Sequence, residues 1–284
     1  MAGLKKSTQS TDEIAKVVDT IEEENVAELS DVAVAEDGYV HDEDLLCGYT
    51  DPNTGLKHTT FTYREMNGKD EEAINKSDIR ANGARLVNVL VERCVSEIGT
   101  LTKKELGTKK WGELVRSLYS GDLDYMAFKI RELSKGKEIE FQHKCPECKT
   151  KLTTIVNTDE FGIKEFNGLD TIPFTLPRGY KDKSGAIHKE GVLRIPNGFD
   201  REIVIPLFKK NSATATTMLL TRIMTFNDGA VIIPDLVANM SLRDREYLEK
   251  LVNENTFGID MSVEITCTSC GADLSGEIGQ SNFF

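Results

Sequence analysis

The sequence predicts an α+β protein: two tandem copies of a strand–helices–β-hairpin unit with a Cys-x-x-Cys zinc knuckle in each, preceded by an acidic leader. Three observations predict this. Stretches of the chain recur in register at offsets of 130 and 122 residues. Within each copy the apolar period changes from that of a strand to that of a helix and back. Two Cys-x-x-Cys motifs stand at equivalent points of the repeat. The predicted organisation is a leader over residues 1–50, copy one over 51–166, and a joining segment with copy two over 167–284.

With 284 residues the chain is long enough to bury its cores without disulfide staples. A hydrophobic share of 39% and a charged share of 29% fit a soluble globular protein. No apolar run reaches the ~18–20 residues of a membrane helix. Met1 to Lys6 lack the apolar core of a secretion signal. Six cysteines are too sparse for a disulfide scaffold. A net charge of −12 argues against general nucleic-acid binding.

That charge is concentrated at the start. Residues 1–45 hold three lysines and thirteen acids, a net of −10, which leaves −2 for the rest. Ile14, Val17, Val18 and Ile21 form one apolar stripe at helical period, with Thr11 as a candidate N-cap. An isolated helix this short is marginal in water. The leader is either a segment that folds on a partner or a solvating acidic tail.

Copy one opens on a strand over 59–65, alternating around Phe61 and Tyr63. The turn Asn67-Gly68 follows, as Asn197-Gly198 follows the counterpart strand over 191–195. Arg64, Asn67, Gly68, Asp70 and Glu72 match Arg194, Asn197, Gly198, Asp200 and Glu202 at an offset of 130. The acids follow a turn at a helix start, where they are favoured structurally, so they read as structural rather than catalytic. Segments 85–98 and 213–226 read as helices, although the Val-rich first one also suits a strand. From Leu114 to Cys148, eight of 35 positions repeat at an offset of 122: Leu114/Leu236, Val115/Val237, Asp122/Asp244, Tyr125/Tyr247, Glu132/Glu254, Gly136/Gly258, Cys145/Cys267 and Cys148/Cys270. Unrelated sequences would share about two. The change of offset needs a length difference, for which the stretch around Gly107–Trp111 is suited.

Leu123, Met126, Ile130 and Leu133 place a helix in copy one. Ser241-Leu242-Arg243-Asp244 resembles a capping box before its counterpart. Gly136 and Gly258 stand where helix C-caps belong. Strands over 138–144 and 260–266 then lead into the cysteines. The joining segment, rich in Gly, Pro and Lys, holds a candidate hairpin around Phe174–Leu176 and Lys181–Gly185.

Cys145-Pro146-Glu147-Cys148 and Cys267-Thr268-Ser269-Cys270 sit at the tips of predicted hairpins. Two thiolates three positions apart on a turn suit one metal ion, and structural zinc takes four ligands. One zinc shared by both knuckles is the simplest completion, and such closed coordination leaves no place for a substrate water. A redox dithiol would open a helix in a βαβ context. Unmetallated relic knuckles are the other alternative. His143 is either a fifth candidate ligand or an outward strand residue. Cys94 shares a helical face with Val87, Leu90 and Val91 and reads as core, while Cys47 has no ligand partner in sequence. Lys103, Lys104, Lys109 and Lys110 form a basic patch, either a solvated face or a contact for an acidic segment. No dinucleotide, P-loop, nucleophile-elbow or zincin motif occurs, so no enzyme class is indicated.

The run strand, Asn-Gly-x-Asp-x-Glu, helices, Ile130-Arg131-x-Leu133-Ser134-x-Gly136, then Cys145-Pro146-x-Cys148 resembles the zinc-knuckle baseplate hub family of T4-like contractile-tailed bacteriophages. Gly258-Ile259-Asp260, Cys267-x-x-Cys270-Gly271 and the final Phe283-Phe284 add to it. The resemblance covers residues 59–284 and leaves the leader outside. It implies a non-enzymatic tail structural or assembly protein at the baseplate hub, made in the bacterial cytoplasm and bound to other tail or baseplate proteins. It implies no small-molecule substrate, nucleic acid or membrane anchor. Structural Zn2+ would be held by Cys145, Cys148, Cys267 and Cys270. A tail assembly chaperone, an accessory baseplate protein and a zinc-stabilised host adaptor unrelated to phage remain the alternatives.

Overall fold

The computed structural model describes residues 40–182 and 184–278. The leader stripe Ile14–Ile21 and its cap lie outside the described residues. The first half begins with the hairpin β1 (Val40–Thr50) and β2 (Lys57–Arg64). Short helices α1 (Gly68–Ile74) and α2 (Ser77–Arg80) precede α3 (Gly83–Cys94). Then come β3 (Val95–Ile98), β4 (Leu101–Thr102), α4 (Lys103–Ser117) and α5 (Ser120–Lys135). The half closes with the hairpin β5 (Glu138–Lys144) and β6 (Lys151–Asn157), then β7 (Gly162–Lys164).

The second half runs in a similar order, without counterparts of α2 and β4 and with a short strand before its last hairpin. Hairpin β8 (Thr171–Lys181) and β9 (Ile187–Arg194) lead to α6 (Gly198–Phe208), α7 (Ser212–Ile223) and β10 (Met224–Phe226). After α8 (Pro234–Ala238) and α9 (Leu242–Asn255) come β11 (Gly258–Asp260) and the hairpin β12 (Ser262–Thr266) and β13 (Asp273–Glu277). The sheets run β1-β2-β3-β4 in the first half and β10-β9-β8 in the second, with β7 paired to β11 across the halves.

Several boundaries differ from the sequence reading. Val40–Thr50 is a strand of the first sheet and not leader. Its charged start His41–Asp44 masks a half-inward strand, on which Leu45 and Cys47 are buried. The helices over 85–98 and 213–226 end at Cys94 and Ile223. Their last residues are strands that pair with β2 and β9, because Val95, Ile98, Met224 and Phe226 fill the sheet side of the cores. Gly136 caps α5 with φ +78°, whereas Gly258 opens β11 and Thr256 caps α9. The strand over 260–266 is interrupted at Met261, which turns into the core between the hairpins. The segment 167–194 does contain a hairpin, longer than the one read from sequence.

The halves share detail below the level of elements. Each opening hairpin has a register shift, at Asp44/Tyr49 and at Thr175/Tyr180, with a left-handed glycine in it (Gly48, φ +94°; Gly179, φ +83°). Buried Asp122 accepts from the Cys47 and Gly48 N–H groups at this bulge, at 3.0 and 3.2 Å, and buried Asp244 accepts from the Arg178 N–H at 2.8 Å. In the sequence these aspartates stand out as a repeated identity, and Asp244 also as part of the candidate capping box after Ser241; each fastens its helix to the hairpin.

The repeated Asn-Gly turns cap α1 and α6. Asn67 and Asn197 accept from the N–H of Asp70 and Asp200, whose carboxylates accept in return from the cap N–H. Both aspartates are fully buried. Arg64 and Arg93 hold Asp70 at 2.6 and 2.8 Å; Arg194 and Arg222 hold Asp200 at the same distances. Burial raises these carboxyls, but the arginines and the cap N–H outweigh it and hold both below the ordinary carboxylate range. Glu202 reaches across the halves to Asn88 (2.8 Å) and Arg116 (3.0 Å). The carboxylates are thus structural.

The length difference falls at β4 and the first turn of α4, which bends at Gly107 (φ +72°). In the second half a tight turn, Gly229 N–H to Phe226 C=O, leads toward α8 without that turn of helix. The halves meet where α6 packs on α3 and where Gly121 and Gly258 lie back to back. A Cβ on Gly121 would come within 2.5 Å of Phe257. The first core holds Phe61, Leu86, Leu90, Trp111 and Met126; the second holds Phe174, Leu193, Phe226, Val237 and Leu248.

Two outcomes are expected. Asp200→Ala should lower stability by about 3 kcal/mol, because two part-buried arginines lose their partner. The depressed carboxyls stabilise the fold above the ordinary carboxylate range, and this contribution is lost as pH falls through their folded values. Melting curves against pH below 5 should therefore be flatter for Asp200→Asn than for the unsubstituted chain. Separately, a deletion of residues 1–50 should melt well below a deletion of residues 1–39. It removes β1 and with it the burial of Cys47 and of Leu45, the latter worth about 1.5–3 kcal/mol when complete.

Candidate metal centre

β5 delivers Cys145 and β12 delivers Cys267 to tight turns of the same construction. The Cys145 N–H donates to the Thr150 C=O (2.9 Å) and the Lys149 N–H to the Cys145 C=O (3.0 Å). In the second turn the Cys267 N–H donates to the Ala272 C=O (2.8 Å) and the Gly271 N–H to the Cys267 C=O (2.8 Å). The turn needs a left-handed residue after the second cysteine. Gly271 supplies it with φ +73°, and Lys149 takes the same conformation at φ +62°. Sequence reasoning saw the cysteines but not this requirement, which Cys-x-x-Cys-Gly signals in only one of the two turns.

The two turns face one another. Phe128, Ile139, Val156 and Phe161 from the first half pack with Met261, Val263 and Ile278 from the second, forming an apolar base under both hairpins. The four sulfurs then lie within 4.8 Å of one another. Cys145 Sγ is 3.8 Å from Cys270 Sγ, and Cys148 Sγ is 3.7 Å from Cys267 Sγ. These separations exceed a disulfide's ~2.05 Å. They match the edge of a tetrahedron of sulfurs around zinc, about 3.8 Å for Zn–S bonds of about 2.3 Å. Cys145 and Cys267 are buried, Cys148 and Cys270 exposed. Such a group could hold one metal ion, with a ligand from each cysteine.

The thiols are electrostatically unlike. The Thr150 hydroxyl and N–H draw Cys148 down to about 6. The Ala272 N–H also favours the Cys270 thiolate, but hydrogen bonds shared with Cys267 and Cys148 outweigh it and push Cys270 up to about 12. A divalent ion held by the four thiolates would displace their protons.

Other candidates lie outside this group. His143 is a half-buried residue of β5 and is not among the clustered ligands. Cys47 and Cys94 are buried in separate apolar clusters, and burial pushes both up to about 12, so neither is a reactive thiol. Both Cys-x-x-Cys motifs sit on hairpin turns and not at helix starts, unlike a redox dithiol. Of the basic patch, Lys103 donates to the Glu92 C=O at 2.7 Å, while Lys104, Lys109 and Lys110 are exposed.

No helix among the described residues is long and apolar enough to cross a membrane. No curated protein and no solved structure matches the chain. A family model described as T4 bacteriophage base plate protein matches residues 51–278, a span that takes in both Asn-Gly turns and all four clustered cysteines. The chain belongs to the T4 bacteriophage base plate protein family.

Proposed function

We propose that the chain is a non-enzymatic structural or assembly component of the tail baseplate, acting at the hub. In this reading it is built from a duplicated unit, and one zinc joins the two copies through Cys145, Cys148, Cys267 and Cys270. The observation that carries it is the meeting of two equivalent cysteine turns, 122 residues apart in sequence, at tetrahedral sulfur spacing. A four-thiolate site is coordinatively closed, so the ion contributes folding free energy and positions no reactant. Family membership makes other tail proteins the natural partners and the virion tail the natural location. The buried cross-half contacts suit a part that must hold one shape within a larger assembly.

Purified protein should contain about one zinc per chain. Cys145→Ser and Cys267→Ser should each remove all of it and lower the melting temperature. The double variant should be little worse than either single one, because partners in one site are not additive. Retention of half the metal in each single variant would show two separate sites. Protein prepared anaerobically without chelator yet free of metal would sink the zinc reading. Phage carrying Cys145→Ser should assemble fewer tails, with the deficit growing as temperature rises.

A further inference from the structure

We propose that the solvent-facing stripe of α6 is a docking surface for an amphipathic, acidic-ended helix of another tail protein. The inference rests on the tail reading for the identity of the partner, and on the structure for the surface.

α6 occupies the place of α1, behind an equivalent cap, yet the two outer faces differ. Asp200 and Val204 point into the protein, and Arg201 and Glu202 are tied to Asp124 and Arg116. The remaining face carries Phe199, Ile203 and Pro206 at i, i+4 and i+7, with Leu207 beside them. Phe199 is 38% and Ile203 44% exposed, and Phe208 at the helix end is 46% exposed. At the same offset the first half has Lys69 and half-buried Ala73 on α1, and Lys76 at the cap of α2, beyond the end of α1. The apolar stripe of α6 thus has no counterpart on the shorter α1. Nothing in the shared frame requires the difference, since α1 shows that the cap and the buried aspartate tolerate polar neighbours there.

The size and charge of the stripe select the occupant. An 11-residue helix is about 16 Å long, so its one face falls well short of the ~800 Å² per partner of a stable free-standing interface and suits one contact among several in an assembly. Three or four apolar anchors at helical spacing are what a helix-on-helix contact uses. Lys209 and Lys210 follow the helix directly; both are exposed, with the Lys209 ammonium also donating to the Ala81 C=O at 2.8 Å. A second copy laid parallel would set lysines against lysines. Laid antiparallel, it would set them against the positive end of the helix dipole. A partner helix with carboxylates beside Lys209 and Lys210 meets neither penalty, and its binding would weaken with salt.

The test uses the full chain in tail assembly. Phe199→Lys with Ile203→Ala installs the residues of the first half, which the same helix position already accommodates. This double variant should keep its melting temperature and metal content. Its amount in purified baseplates should fall at least tenfold. Lys210→Glu, outside the core, should also reduce incorporation, whereas Lys69→Ala should not. If the double variant and Lys210→Glu are both incorporated like the unsubstituted chain, the docking surface is refuted while the tail reading stands. A dimer of the unsubstituted chain at micromolar concentration, split by the double variant in sedimentation, would make a second copy the occupant and overturn the proposal. If the unsubstituted chain is absent from baseplates and dispensable for tail assembly, both readings fall.

Discussion

Two cysteine turns must meet although 122 residues separate them, and the structure is arranged around that closure. Bringing distant points of a chain together costs loop entropy, so the turns need support other than their own sulfurs. They receive it from the apolar base of Phe128, Ile139, Phe161, Met261 and Val263, and from the short β7–β11 pairing beside it. A cross-link over a loop of this length restricts the unfolded chain by about 5 kcal/mol in the chain-entropy picture. An ion bound by all four thiolates would therefore act on the whole second half at once.

The buried aspartates show a different economy. Asp70 and Asp200 each combine a helix cap with a two-arginine clamp, and each clamp joins a strand to a later helix, β2 to α3 and β9 to α7. Removing one partner from such a set leaves desolvated charge behind, which makes the arrangement sensitive to substitution even where its net stabilisation is modest. Asp122 and Asp244 act similarly on the bulges of the opening hairpins, through backbone N–H groups instead of side chains. The same frame then supports unlike surfaces: a bent helix with buried Trp111 in the first half, an apolar outer stripe on α6 in the second.

The amino-acid sequence by itself determined the coarse run of strand, helices and cysteine hairpin, the repeated Asn-Gly turns at helix starts and the four cysteines as one candidate group. Each is a short-range pattern: a cap residue three positions before its carboxylate, a thiol pair on one turn, an apolar period. The family resemblance was legible in the same motifs and agrees with the matched span. Only tertiary structure decided the rest. The strand at Val40–Thr50 hides behind a charged start and is specified by its pairing with β2. Val95–Ile98 and Met224–Phe226 continue a helical period in sequence, yet they become strands because sheet neighbours occupy their hydrogen bonds. Gly258 does not cap a helix; it opens β11, where a Cβ would come within 3.1 Å of Gly121. The sulfur spacing depends on a core assembled from both halves, and no local pattern encodes a distance across 122 residues.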